Sequence, residues 1–408
     1  MQPSRILIVG AGQAAVQAID TLRRKGYTGS IALVGEEDSW PYQRPPLSKK
    51  YLAGALTQER LLIRPAHFYA EHAVEARLGQ RAMEIDRSAQ RVRLADGTTL
   101  AYDELLLATG SRPRTLAVPG VQLAGVHFLR ALADVAAISR DLKGARRLVI
   151  VGGGYIGLEV AATCCELGIE TTVLEMSDRA MNRVTCAEVS AHFQAEHARH
   201  GVNILCNVRV RAIAGESASG RVRAVVSEDG TEYPADMVIV GVGVGPVDEL
   251  ASAAGLQCAN GITVDEFCRT SDPRILAAGD CAIHPSPHYG RLLRLESVDN
   301  AFEQGTTAAL SMLGTPLKHD KIPWFWSDQY DLKLIIVGLN HGYDRLVIRG
   351  SQAARSFSAC YLLDGELIAI DTVNNAKDQM AARKLIAARA RPHVDKLADP
   401  NLPLRDCL

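Results

Sequence analysis

Arg5-Ile-Leu-Ile-Val-Gly10-Ala-Gly12-Gln-Ala-Ala15 returns later in the chain as Arg147-Leu-Val-Ile-Val-Gly152-Gly-Gly154-Tyr-Ile-Gly157. Each copy is a short apolar, β-branched run that breaks on a glycine turn and continues as a helix-like segment. Each then reaches a second β-rich run, Ile31-Ala-Leu-Val34 in one copy and Thr171-Thr-Val-Leu174 in the other. Strand, turn, helix, strand is a βαβ unit, and its two strands are parallel because a crossover helix joins them. The spacings Gly10-x-Gly12-x-x-Ala15 and Gly152-x-Gly154-x-x-Gly157 are those of a dinucleotide-binding turn. The first glycine permits the tight turn. The second lets backbone approach a pyrophosphate, and the third position, Gly or Ala, lets helix and strand pack closely. The helix N-terminus then offers free N–H groups to the phosphates. Two such units predict an α/β chain with two Rossmann-type domains.

Acids follow both second strands, Glu36-Glu37 in the first copy and Glu175 in the second. A carboxylate there can accept hydrogen bonds from ribose hydroxyls and would repel a 2′-phosphate, so Glu175 favours NAD over NADP. Arg179 and Arg183 lie close enough in sequence to soften that preference. Between the copies, Arg91–Leu94 and Leu105–Leu107 flank Asp96-Gly97, which reads as a hairpin. Val222–Val226 and Met237–Val240 flank Asp229-Gly230 in the same way. From about residue 320 the pattern changes. Alternating segments at Leu332–Val337, Arg345–Arg349, Phe357–Leu362 and Leu367–Ile370 predict an antiparallel sheet closed by a helix near 376–390.

The 408 residues suggest two to three domains. The 45 basic and 46 acidic side chains leave a formal charge of -1, which argues against a nucleic-acid binder that relies on bulk positive charge. No apolar run reaches the roughly 18–20 residues of a membrane span. The start MQPSRILIVGAG has no secretory layout, so a cytoplasmic protein is expected. None of the nine cysteines forms a C-x-x-C, so a zinc ribbon or a thioredoxin-type motif finds no support. No metal site is expected. His192, His197 and His200 do not form H-E-x-x-H, and their stretch reads as an exposed helix. Cys164-Cys165 fall inside the second crossover helix, where thiols pack as small apolar groups.

Further motifs carry a resemblance over nearly the whole chain. They are Pro45-Pro46-Leu47-Ser48-Lys49, Ala108-Thr109-Gly110, Gly152-Gly-Gly-Tyr-Ile-Gly-Leu-Glu159, Gly279-Asp280-Cys281-Ala282, Glu296-Ser-Val298 and Pro323-Trp-Phe-Trp-Ser-Asp-Gln329. With these the chain resembles the FAD-dependent, NADH-linked ferredoxin reductases of bacterial oxygenase systems, of the putidaredoxin reductase and biphenyl-dioxygenase reductase type. The resemblance implies a glutathione-reductase-like α/β fold. An FAD-binding domain would occupy 1–111 and 246–319, an NAD-binding domain 112–245, and an α+β interface domain 320–408. It implies that FAD lies along Gly10, Gly12, Ala15, Glu36, Arg44, Lys49, Ala82, Ala108, Thr109, Gly110, Arg130, Asp280, Val298 and Trp326. It places NADH at Gly152, Gly154, Tyr155, Ile156, Gly157, Glu159, Glu175, Arg183 and Gly243.

By the same resemblance Lys49, Glu159, Tyr155 and Trp326 are the catalytic group. Lys49 and Glu159 would border the flavin–nicotinamide contact. Tyr155 would cover the flavin until nicotinamide displaces it, and Trp326 would mark the side where electrons leave. Residues 35–63 contain no Cys. The thiol relay of disulfide reductases and the flavin-facing Cys of oxygen-reducing relatives are therefore missing. The expected activity is transfer of electrons from NADH through FAD, one at a time, to a [2Fe-2S] ferredoxin that serves a monooxygenase or ring-hydroxylating dioxygenase. Alternatives are a rubredoxin or other one-electron acceptor, or an NADH-sensing interaction protein of the apoptosis-inducing-factor type. Arg291, Arg294, Lys333 and Arg345 are candidate ferredoxin contacts, and the chain is expected as a monomer or homodimer without nucleic-acid or membrane partners.

Overall fold

A computed structural model describes residues 3–217 and 219–408. Met1 and Gln2, the first residues of the N-terminal stretch read above for a leader, lie outside the described residues, as does Ala218. The chain forms two compact units. One comprises Met1–Gln43, Gln58–Arg112 and Gly245–Pro323; the other comprises Arg44–Thr57, Pro113–Val244 and Trp324–Leu408.

In the first unit the strand Arg5–Val9 lies at the centre of a five-stranded parallel sheet. Ser30–Val34 pairs on one side from Arg5↔Ser30, and Glu104–Leu107 on the other from Ile6↔Glu104. The strands Ile275–Ala277 and Val74–Arg77 complete the edges. The crossover helix Gln13–Arg24 buries Ala14, Ala15, Ala18, Ile19 and Leu22. It packs on the helix Val298–Met312. A Cβ on Gly305 would stand 2.5 Å from the Ala14 carbonyl, so only glycine allows the two helices this approach.

Beside the helix Val298–Met312 two imidazoles are buried edge to face, His284 and His319, with ring centroids 4.6 Å apart. Gln304 Nε2 donates to His284 Nδ1 at 3.0 Å, which leaves the proton of a neutral ring on Nε2. Burial lowers the His284 pKa to about 4. Burial, with His284 and Lys321 adding, lowers that of His319 to about 3. A depressed histidine pKa contributes stability above its unfolded value near 6.5, and that stability is lost as pH falls towards the folded value. The slope is about 1.4 kcal/mol per pH unit per group. Urea melts at pH 7 and pH 5 should therefore differ by about 2 kcal/mol less in His319→Phe than in wild type. Parallel losses in the two proteins would remove His319 from the acid response.

The second unit holds the repeat. Arg147–Val151 pairs in parallel with Glu170–Leu174 and Met237–Val240, and Asn203–Leu205 and Val126–Phe128 flank them. The C-terminal part is a five-stranded antiparallel sheet in the order Trp324–Gln329, Leu332–Gly338, Glu366–Val373, Ser356–Leu363, Arg345–Ser351. The helix Ala376–Ala387 packs on it. The buried Arg349–Asp378 ion pair, 2.8 Å, ties strand to helix. Arg349 also donates to the carbonyls of Leu397 and Asp399, which pins the terminal segment.

Both predicted hairpins need correction. Across Asp96-Gly97, Arg91–Leu94 pairs with Thr99–Ala101, not with the leucine run. Across Asp229-Gly230, Val222–Ser227 pairs with Glu232–Pro234. Leu105–Leu107 and Met237–Val240 instead join the parallel sheets. They are unbroken apolar runs, buried throughout, as strands covered on both faces must be. The helix Ala187–Arg199 is also not the exposed one expected, because Val189, Phe193, Glu196 and His197 are buried. Among the described residues no helix is long and apolar enough to cross a membrane.

Candidate functional site

Each unit carries one glycine turn. In the first unit Gly10 has φ +111°, and a Cβ there would fall 2.0 Å from the Ala108 carbonyl. Ala108 N–H in turn donates to the Val9 carbonyl at 2.7 Å. The turn and Ala108-Thr109-Gly110 are thus one piece, and Thr109 Oγ1 donates to the Val247 carbonyl at 2.5 Å. Nothing stands within 4 Å of a Cβ on Gly12, and no side chain caps the helix that follows. This is an open cradle with unspent N–H donors, which suits a pyrophosphate. The Asp280 carboxylate is held at 2.7 Å by Ser111 Oγ. Val298 opens a helix whose cap, Ser297, accepts from Asn300 N–H at 3.1 Å. Ala82, itself half-buried, starts a mostly exposed edge strand. Glu36 is exposed and lies 3.8 Å from the Arg81 guanidinium.

The second turn repeats the geometry. Gly152 has φ +111°, and its Cβ would fall 2.4 Å from the Gly241 carbonyl. A Cβ on Gly157 would come within 2.2 Å of the Gly152 carbonyl, whereas Gly154 faces open space. The copies differ at the residue directly after the second strand. In the first copy it is Gly35, where a Cβ would meet Ala11 Cβ at 2.8 Å. In the second it is Glu175, and the turn opposite carries Gly153. The Glu175 carboxylate accepts from Gly153 N–H at 2.7 Å and from Ser177 N–H at 2.8 Å. These bonds fix its orientation and leave lone pairs for ribose hydroxyls. A Cβ on Gly243 would lie 3.4 Å from Arg183 Nη2, so those two expected residues are neighbours. Ile156, at the start of the helix, is exposed.

Within the second unit the predicted catalytic residues cluster. The prolines Pro45 and Pro46 set a 3₁₀ turn that ends at Ser48, and Lys49 follows. Thr163 Oγ1 donates to the Ser48 carbonyl at 2.9 Å, which fastens the turn to the helix Tyr155–Glu166. Lys49 Nζ then meets Glu159 Oε2 at 2.8 Å, with side chains 17% and 6% exposed. Ser48 Oγ donates to the same oxygen at 2.6 Å, and Ser327 Oγ donates to Oε1 at 2.7 Å. A buried carboxylate survives only when paired and hydrogen-bonded, and this one is both. Tyr155, one turn earlier, has a buried hydroxyl with no partner among the described residues. Burial, with Asp371 and Glu159 adding, holds its phenol well above the usual pKa. Arg44 donates to the Arg130 carbonyl at 2.7 Å, and Arg130 N–H to Asp134 at 2.8 Å. Trp326 shares one face of its strand with Trp324, ring centroids 5.4 Å apart, while Ser327 points to the other.

Sequence reasoning missed Ser48 and Ser327 as partners of Glu159. Both stand inside motifs it had singled out, and strand alternation placed Ser327 opposite Trp326. It also misjudged Arg294, whose side chain is 8% exposed and is spent on Glu296 at 2.7 Å. Arg291, Lys333 and Arg345 are exposed. Cys164 is buried and Cys165 partly so, and burial raises the Cys164 pKa to about 12, which makes it an inert thiol.

Residues 4–305 match the pyridine nucleotide-disulphide oxidoreductase family, and 324–408 match a reductase C-terminal family. Rhodocoxin reductase of Rhodococcus erythropolis is 42% identical over 400 residues, 98% of this chain and 93% of its own length. Putidaredoxin reductase of Pseudomonas putida is 43% identical over 406 residues, 99% and 96% of the two lengths. The reductase in a covalent putidaredoxin reductase–putidaredoxin complex superposes with a TM-score of 0.95 at 43% identity, covering 98% of this chain and 97% of that one. The chain therefore belongs to the ferredoxin-reductase branch of the pyridine nucleotide-disulphide oxidoreductases.

Proposed function

We propose that this chain draws electrons from NADH and delivers them singly to a [2Fe-2S] ferredoxin that serves an oxygenase. The segments 1–111 and 246–319 hold FAD, 112–245 hold NADH, and 320–408 carry the partner surface. Bound FAD supplies the chemistry, because it accepts two electrons from NADH and can release them one at a time. The observation that carries the reading is the buried Lys49–Glu159 pair, gripped by Ser48 and Ser327, in a chain whose residues 35–63 hold no thiol.

The protein's part is positioning. Gly12 and Gly154 open their turns to the pyrophosphates, and Glu175 holds a ribose. Lys49 places a fixed cation where negative charge builds up on reduction, and Glu159 keeps that cation in place. Tyr155 keeps water off the nicotinamide position until the substrate arrives. Nine free cysteines suit a reducing cytoplasm. Purified holoprotein given NADH should reduce a matched [2Fe-2S] ferredoxin much faster than rubredoxin or oxygen. The reverse order would overturn the assignment.

Two site residues are open to direct test. Glu175→Ala should raise the NADPH-to-NADH ratio of kcat/KM by about ten-fold, because a like charge no longer faces the 2′-phosphate. An unchanged ratio removes Glu175 from that role. Trp326→Ala should cut ferredoxin reduction by about ten-fold and ferricyanide reduction far less, since a small oxidant needs no docking face. Equal losses would place Trp326 in the core instead of on the exit side.

A further inference from the structure

The contacts of Glu159 do not end at Ser327. Gln329 Nε2 donates to Ser327 Oγ at 3.1 Å, and Gln329 Oε1 lies 2.9 Å from His197 Nε2. Tyr330 Oη lies 3.2 Å from His197 Nδ1, and its ring stacks on His200 with centroids 3.8 Å apart. Ser327, Gln329 and His197 are each at most 1% exposed. The hydrogen-bonded chain runs from the Tyr330 hydroxyl to the buried carboxylate.

Its direction follows from counting protons. A serine hydroxyl has one, and Ser327 gives it to Glu159, so Ser327 must accept from the Gln329 amide. The amide oxygen of Gln329 then faces His197, whose Nε2 must carry the hydrogen. His197 Nδ1 is left as an acceptor for the Tyr330 hydroxyl. Every link donates towards Glu159, and such a sequence polarises cooperatively. Burial lowers the His197 pKa, which keeps the ring neutral as this order requires.

A second observation is independent. Tyr330 occupies the turn between two strands at φ +55°, a conformation that glycine or asparagine adopts with less strain. A bulky residue there is retained at a backbone cost, which is understandable if its hydroxyl has a task.

We propose that His197, Gln329 and Tyr330, acting through Ser327, are positioning residues for Glu159 and thereby for Lys49 in the electron transfer from NADH. The Trp-Phe-Trp-Ser-Asp-Gln strand then has two duties, with Trp324 and Trp326 on one face and the Glu159 chain on the other. This inference rests on the reading of the Lys49–Glu159 pair given above, so its test carries a control for that reading.

The first measurement needs no turnover. Histidine ¹⁵N spectra of the holoprotein, with His197 assigned by its loss in His197→Gln, should show a neutral Nε2–H ring at neutral pH. An Nδ1–H or doubly protonated ring overturns the chain. The second compares Gln329→Leu, Ser327→Ala and Ser327→Thr with Glu159→Gln by stopped-flow reduction of the flavin and by ADP-ribose binding. ADP-ribose lacks the nicotinamide, so it reports the NAD cradle alone. Gln329→Leu and Ser327→Ala should slow limiting reduction by about ten-fold with ADP-ribose affinity unchanged, and Ser327→Thr should recover most of the rate. Wild-type rates, or ADP-ribose binding that weakens in step, would mean the chain is only structural. If Glu159→Gln slows reduction while these variants do not, this inference alone fails. If Glu159→Gln is itself as fast as wild type, the reading of the pair fails and takes the inference with it.

Discussion

Lys49→Ala should slow reduction of bound FAD by NADH by about a hundred-fold, read as the limiting rate in stopped flow. The side chain is 17% exposed and its ammonium sits 2.8 Å from Glu159. Truncation therefore removes the one cation of that pair and leaves the carboxylate, among the described residues, with its hydroxyl donors Ser48 and Ser327. Two penalties act together. The developing negative charge loses a preorganised partner, and Glu159 becomes a buried charge without a counter-ion. The FAD content of the purified protein should hold, because the glycine turn and its helix lie in a different part of the chain. Reduction at the wild-type rate would leave Lys49 as a mere anchor for the Pro45–Ser48 turn.

Gly157→Ala should abolish NADH-driven reduction, with a loss above about a hundred-fold, and yet leave a yellow protein that dithionite still reduces. The added methyl would stand 2.2 Å from the Gly152 carbonyl. Backbone cannot yield there without lifting the helix Tyr155–Glu166 from its strand, and that movement spoils the second turn. The first copy tolerates Ala15 at the same motif position, fully buried. Two turns with one spacing thus differ in how closely the helix approaches. ADP-ribose titration and a flavin absorbance spectrum separate the outcomes. If FAD were lost together with NADH binding, the division of the two nucleotides between the two copies would be wrong.

Much of this was open to inspection in the residues themselves. Period and glycine spacing announced two βαβ units, because a tight turn beside a parallel strand permits few other residue types. The register Arg5↔Ser30 and its repeat Arg147↔Glu170 agree with that expectation. The hairpins went wrong for a physical reason. Asp-Gly specifies a turn but not which later strand closes on it, and the three-residue strands Thr99–Ala101 and Glu232–Pro234 gave weak signals beside the unbroken apolar runs. Arg294 misled in the same way, since only the fold buries its side chain and turns it onto the Asp280 carbonyl, away from solvent.

The local stereochemistry of glycine, the parallel pairing of apolar runs and the lack of thiols in residues 35–63 are properties of the chain, and they determined the fold class and the kind of chemistry. The surroundings of Glu159 were decided only by tertiary structure. Ser48, Ser327, Gln329 and His197 come from three separate stretches, and none carries a motif that declares its partner. A hydrogen bond depends on distance and direction within tenths of an ångström. Residues more than a hundred positions apart acquire that geometry only when strands and helices pack.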